Sequence, residues 1–173
     1  HGFAGEFGHT RFTGGNTDKC YCGGEGCLET LTSLGALERL AKADPPNGKS
    51  ASGPLQAEFL LKQAAEGDAF AVSLVEHLGQ MLGSSLASAI HLFDPECIVL
   101  GGRMTLAGSI FEASVRNALI RNTMDRAGRE LTIEMSRLGR SACLLGCHAL
   151  VMKKLFTDLQ QNTVSALSGK RTR

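Results

Sequence analysis

Apolar residues recur at three- and four-residue steps over several stretches of the chain, separated by two short runs that alternate or are continuously apolar. From Leu28, the positions Leu31, Leu34, Leu37, Leu40 and Ala41 fall on one stripe and predict a helix ending before Asp44-Pro45-Pro46. Residues 44–53, DPPNGKSASG, read as a mobile loop. Ser52 or Gly53 then caps a helix with Pro54 in its first position and Leu55, Phe59 and Leu60 on its apolar side, stopping at Gly67. Asp68 opens the longest helix, Ala69 to about Phe93, with Ala71, Val75, Leu78, Leu82, Ser85 or Leu86, Ala89 and Phe93 on one stripe. Its opposite side carries Gly79, Gly83, Ser84, Ala87 and Ser88. Such small side chains let a second backbone come close, so both sides of this helix are expected to be covered.

Asp94-Pro95 ends that helix, and Glu96 to Gly101, ECIVLG, is a short β-branched run with the profile of a buried parallel strand. Gly101-Gly102 leads to a helix from about Ala107 to Asn122, apolar at Ile110, Phe111, Val115 and Leu119. Leu131 to Ser136, LTIEMS, alternates as a second strand. A closing helix runs from Leu138 to about Gln160, with Ala142, Leu145, Ala149, Met152, Leu155, Phe156 and Leu159 inward. Residues 161–173, ending Lys170-Arg171-Thr172-Arg173, read as a disordered tail.

Composition narrows the class. A chain of 173 residues with 43% apolar and 20% charged content is one globular domain, or most of one. The net charge of +1 gives no electrostatic case for nucleic-acid binding by this segment. An apolar run of about 18 residues is missing and no signal peptide precedes the glycines, so a soluble cytoplasmic protein without membrane contact is expected. Only two or three strands stand beside four or five helices, and a parallel sheet that short leaves pairing groups unsatisfied.

The chemistry is concentrated in the stretch from His9 to Glu29, HTRFTGGNTDKCYCGGEGCLE. One imidazole and three thiols, His9, Cys20, Cys22 and Cys27, lie within nineteen positions too rich in Gly, Thr, Asn and Asp to be ordered by a core. A structural Zn²⁺ bound by those four residues supplies the missing order, on the order of 10 kcal/mol. Gly23, Gly24 and Gly26 suit the tight return of the third thiol. The competing reading is a disulfide, but Cys20 and Cys22 are too close to pair comfortably and an odd thiol would remain. The remaining thiols, Cys97, Cys143 and Cys147, are expected to be buried among apolar neighbours. His77 and His91 have no partner at metal spacing and read as ordinary packing or surface residues.

Gly5-Glu6-Phe7-Gly8-His9, followed by Cys20-Tyr21-Cys22-Gly23-Gly24-Glu25-Gly26-Cys27-Leu28-Glu29, closely resembles the ROK family (repressor, open reading frame, kinase) of bacterial sugar kinases and sugar-responsive repressors. Asp94-Pro95-Glu96-Cys97-Ile98-Val99-Leu100-Gly101-Gly102 is similar to its second landmark. The resemblance implies an α/β chain forming the second lobe of an actin-like, ribonuclease-H-like fold over residues 1–160. Within it fall a sugar and zinc segment (1–30), a helical part (31–93) and an α/β part (94–160). The first lobe, with the phosphate loops and the Asp that serves the family's kinases as base, would precede His1.

By the same resemblance, Glu6, His9 and Glu29 would hold sugar hydroxyls, with His9 also on the metal. Gly101 and Gly102 would lie against ATP and its Mg²⁺ if the protein is a kinase. No catalytic residue is carried over, so this chain alone is expected to be inactive. The implied roles are the effector-binding and oligomerising part of a transcriptional regulator, reaching DNA only through residues outside this chain, or the second lobe of a hexose or N-acetylhexosamine kinase. Arg103 stands where many of the kinases have a third Gly, and the ending Ala149-Leu150-Val151-Met152-Lys153-Lys154-Leu155-Phe156 looks more like the repressors. Both favour the regulator.

Overall fold

In the computed structural model the described residues are 2, 4–11, 17–43, 56–124 and 131–168. They fall in two compact units, His1–Ser136 and Arg137–Arg173.

The first unit begins with a 3-10 turn, Phe7–His9, and the cysteine loop, 17–28, comes after it in the chain. Helix α1, Glu29–Thr32, and helix α2, Leu34–Ala43, replace the single helix expected from Leu28. The break has a local cause. The Thr30 hydroxyl donates to the Cys27 carbonyl at 2.7 Å and Thr32 to Leu28 at 3.0 Å, closing the first turn on itself. Ser33 is extended and its Oγ accepts from Ala36 N at 3.2 Å, capping the second. Helix α3, Ala57–Ala65, starts beside Gln56, and Ala57 N donates to Glu38 Oε1 at 2.9 Å. The loop 44–53 and the expected start at Pro54 lie outside the described residues. Leu60 and Leu61 are buried, but Phe59, expected inward, is exposed.

Helix α4, Ala69–Phe93, matches its sequence limits closely: Asp68 Oδ1 accepts from Ala71 N at 2.9 Å at one end, and Asp94 takes a left-handed conformation at the other. After a second 3-10 turn, Arg103–Ala107, helix α5 spans Ser109–Asn122. The two helices pack closely because Gly79 and Gly83 offer no side chain. A Cβ at Gly83 would lie 2.3 Å from the Val115 carbonyl oxygen, and one at Gly79 would lie 2.7 Å from Ser114 Oγ. Leu78, Val75, Val115 and Leu119 are fully buried at this contact. The small-residue side of α4 is thus covered as expected as far as Ala87, while Ser88, Leu92 and Phe93 emerge at the surface.

Strands β1, Cys97–Leu100, and β2, Thr132–Met135, pair in parallel with Cys97 opposite Thr132 and Val99 opposite Glu134. One face, with Leu100 and Ile133, joins the helical core. The other carries Cys97, Val99, Thr132 and Glu134 and is exposed, so β1 is not the strand buried on both faces that its composition suggested. Arg116 secures β2 to α5 by donating to the Ile133 carbonyl at 2.9 Å while pairing with Glu112 at 3.0 Å.

The second unit holds a 3-10 turn, Gly139–Ser141, and helix α6, Ala142–Ser168. The helix continues past Gln160 into the segment expected to be disordered, and residues 169–173 lie outside the described set. Leu145, Leu155, Phe156 and Leu159, expected inward, are exposed. Cys143 and Cys147 on α6 and Cys97 on the open sheet face are exposed too, which corrects the expectation of three buried thiols.

Candidate metal and ligand site

The 3-10 turn and the cysteine loop form one small scaffold. His9 N donates to the Glu6 carbonyl at 3.0 Å, and the Thr10 hydroxyl donates to the Phe7 carbonyl at 2.7 Å, fixing the direction of the His9 side chain. The chain crosses to the cysteines through single antiparallel bridges, Arg11 with Cys27 and Lys19 with Glu25. Cys20 N donates to Gly24 O at 2.8 Å and Gly23 N to Cys20 O at 3.0 Å, a knuckle that turns the three thiols to one side. Gly23 and Gly26 have φ of 88° and 72°, the left-handed backbone that this knuckle needs. Gly24 lies against the thiols, where a Cβ would make ordinary contacts 3.5 Å from Cys22 Sγ and 3.7 Å from Cys27 Sγ. Arg39 of α2 holds the outside of the loop, pairing with Asp18 Oδ2 at 3.0 Å and donating to the Thr30 carbonyl.

His9, Cys20, Cys22 and Cys27 bring their ligand atoms within 4.8 Å of one another and can hold a metal ion. Cys22 Sγ and Cys27 Sγ are 3.7 Å apart, and His9 Nδ1 is 3.6 Å from Cys20 Sγ. The edges of a zinc tetrahedron, with Zn–S about 2.3 Å and Zn–N about 2.0 Å, are roughly 3.5 to 3.8 Å long. The donor set therefore fits that ion in chemistry, and these two separations match it in size. A disulfide, by contrast, needs sulfurs about 2 Å apart. The thiols are held differently. The Gly24 N–H, donating to Cys22 Sγ at 3.4 Å, and then Cys20 hold the Cys22 thiol below its usual range. Desolvation first, and the hydrogen bonds to Cys22 and Cys20 next, push Cys27 up to about 11.

Beside this cluster the structure brings together the three residues expected to hold sugar hydroxyls. His9 Nε2 lies 3.6 Å from Glu6 Oε2. Gly8, whose Cβ would stand 3.3 Å from Glu29 Oε2, leaves room for the Glu29 carboxylate at the first turn of α1, where the helix end favours an anion. Between His9 and Glu29 stands a residue the sequence reading passed over. The Tyr21 hydroxyl is 3.1 Å from His9 Nε2 and 3.5 Å from Glu29 Oε2, and its ring meets the imidazole edge-on at 5.2 Å. The Glu29 charge above all, then desolvation, Cys20 and Glu6, hold the phenol above its ordinary range. Its one sequence signal is position: it is the residue between two cysteines of the cluster.

Gly101 and Gly102 stand at the end of β1, Gly102 with φ of 80°. They lead into the 3-10 turn rather than directly into α5, whose first residue is Ser109. Arg103, at the start of that turn, reaches Glu58 of α3 at 3.5 Å. His91, read from sequence as structural, accepts from Met124 N at 3.4 Å through Nε2. No helix among the described residues is long and apolar enough to cross a membrane.

The ROK family model matches residues 1–154. A putative xylose repressor from Caldicellulosiruptor sp. is 28% identical over 161 residues, covering 89% of this chain and 40% of the repressor. A glucokinase from Halalkalibacterium halodurans is 29% identical, covering 89% of this chain and 49% of the kinase. A ROK glucokinase from Streptomyces griseus, solved with glucose and AMPPNP, superposes with a TM-score of 0.68 at 29% identity over 85% of this chain and 51% of its own. The chain thus spans two fifths to one half of the length of these relatives, and their fold is its α/β fold. By the match over residues 1–154, the chain belongs to the ROK family.

Proposed function

We propose that this chain is the sugar-binding, zinc-stabilised effector and oligomerisation portion of a ROK transcriptional regulator, forming the second lobe of the actin-like fold. The observation that carries the reading is the convergence of His9 and Glu29 on one hydroxyl position beside the four-residue cluster, with Glu6 3.6 Å from the same imidazole nitrogen. Carboxylates accept several hydroxyl hydrogen bonds each, and charge-assisted bonds are roughly twice as strong as neutral ones. The imidazole adds a directed donor, since a ring whose Nδ1 is on zinc keeps its proton on Nε2. A polyol such as a pyranose presents the matching set of hydroxyls. Zinc held by His9, Cys20, Cys22 and Cys27 has four protein ligands, so its contribution is structural: it fixes the loop and the His9 ring.

The regulator is favoured over a kinase by Arg103, a charged residue on the glycine turn where a nucleotide would approach, and by similarity to the repressor. Self-association is supported by the exposed apolar row Leu144, Val151, Leu155 and Leu159 on α6. DNA would be reached through other residues, consistent with a net charge of +1 here. The second reading, a lobe of an ATP-dependent sugar kinase with Gly101 and Gly102 against the nucleotide, is favoured by the likeness to the two glucokinases.

Calorimetric titration with glucose, N-acetylglucosamine and xylose tests the shared part of both readings. One of these sugars should bind, and Glu29→Gln should weaken that binding by roughly tenfold or more, the value of one charged hydrogen bond. Absence of heat with all three, or an unchanged constant in the variant, would remove the sugar site.

A further inference from the structure

The Tyr21 hydroxyl sits where the sugar-binding reading needs a hydroxyl of the ligand. It lies 3.1 Å from His9 Nε2 and 3.5 Å from Glu29 Oε2, while Glu6 stands 3.6 Å from the same imidazole nitrogen. A hydroxyl is both donor and acceptor, and the two neighbours are one of each. With Nδ1 turned to Cys20, where it would bind the metal, Nε2–H would donate to the phenol oxygen, and the phenol O–H donates to the carboxylate. A sugar hydroxyl bridging His9 and Glu29 would make the same two bonds in the same direction. Two oxygens cannot share that position.

Tyr21 is also poorly anchored. Its side chain is 80% exposed, and the contacts described for it are the hydroxyl bonds and the edge of the His9 ring. Its backbone, in contrast, is fixed between Cys20 and Cys22, so the metal loop sets how far the ring can swing. We propose that Tyr21 is a built-in competitor for the sugar site: its hydroxyl takes the place of a sugar hydroxyl between His9 and Glu29 and is displaced when a sugar enters. This rests on the sugar-binding reading and adds to it a residue that sets affinity and reports occupancy. Every incoming sugar must exchange the phenol's bonds for its own, so sugars able to bridge both residues are selected over those that reach only one.

The chain has one Tyr and no Trp, which makes the test direct. Tyrosine emission from the 173-residue chain arises from Tyr21 alone, and a phenol bonded to a carboxylate emits weakly. Titration with glucose, N-acetylglucosamine or xylose should raise that emission with the same midpoint that calorimetry gives. In Tyr21→Phe, which keeps the ring and offers no hydroxyl, the sugar should bind about fivefold tighter, the worth of one net hydrogen bond no longer to be broken. Bound zinc should stay unchanged, because Tyr21 supplies no ligand atom. Calorimetric binding with flat emission, or equal or weaker binding by Tyr21→Phe, overturns the competitor role while leaving the sugar site standing. Loss of zinc in Tyr21→Phe would make Tyr21 a support of the metal loop and overturn it as well. Failure of the unsubstituted chain to bind any of these sugars overturns both.

Discussion

Cys22 and Cys27 face each other across 3.7 Å, yet the first gives up its proton more readily than an ordinary thiol and the second less so. Zinc binds thiolates, so uptake at neutral pH must expel the proton that desolvation keeps on Cys27, pushed up to about 11. The sign follows: acid favours the protonated, metal-free loop, and apparent zinc affinity should fall as pH falls, roughly tenfold per pH unit for each proton released. Competition with a chromophoric chelator across neutral pH checks this, and a flat profile would contradict the ligand set. Cys22→Ser should lose the metal, as read by atomic absorption, and lower the melting temperature on the order of 10 °C, because the loop has little core to replace the ion. The clustering of His9, Cys20, Cys22 and Cys27 was legible from residue type and density alone, since Gly- and Thr-rich sequence cannot order thiols by burial. Tyr21 was not legible, because nothing in a Cys-x-Cys spacing says that the middle side chain folds back onto His9.

At the scale of elements, the α4 and α5 pair shows how far a pattern of small residues can be trusted. Gly79 and Gly83 signalled a close backbone approach, and the structure places the Val115 carbonyl and the Ser114 side chain against them. Gly83→Ala gains about 1 kcal/mol of helix propensity. It also inserts a methyl group 2.3 Å from a carbonyl oxygen and 2.8 Å from Ala118 Cβ, an overpacking at the upper end of the usual 1–3 kcal/mol. Crowding wins, so urea denaturation should show a net loss of about 2 kcal/mol. Gly146→Ala in α6 is the matched control: a Cβ there meets nothing within 4 Å, so the propensity gain stands and stability should rise by roughly 0.5–1 kcal/mol. Equal effects of the two substitutions would refute the packing account. Periodicity was less informative about ends and faces. It ran α1 and α2 together because hydroxyl side chains, not apolar spacing, close the first turn at Ser33. It turned Phe59 and Phe93 inward because it cannot tell which stripe of a helix meets a neighbour.

The whole molecule is governed by what its two-stranded sheet leaves open. Parallel sheets are as a rule covered on both faces, and here the core reaches only the side of Leu100 and Ile133, while Val99 on the other side is 62% exposed. The composition of β1 foretold a strand buried on both faces, so this is where sequence and structure part, and further polypeptide laid against the open face would reconcile them. Catalysis of phosphoryl transfer needs a base on the accepting hydroxyl and charged groups on the transferred phosphate, all positioned together. Of the carboxylates in the proposed sugar site, Glu29 accepts from the Tyr21 hydroxyl and Glu6 lies beside the His9 imidazole, while Arg103 is directed to Glu58. The 173-residue chain incubated with ATP, magnesium and a panel of hexoses should therefore bind sugar without phosphorylating it, as followed by release of ADP. Appearance of sugar phosphate above the uncatalysed rate would mean that these residues suffice as a kinase, and would reverse both the lobe assignment and the preference for a regulator.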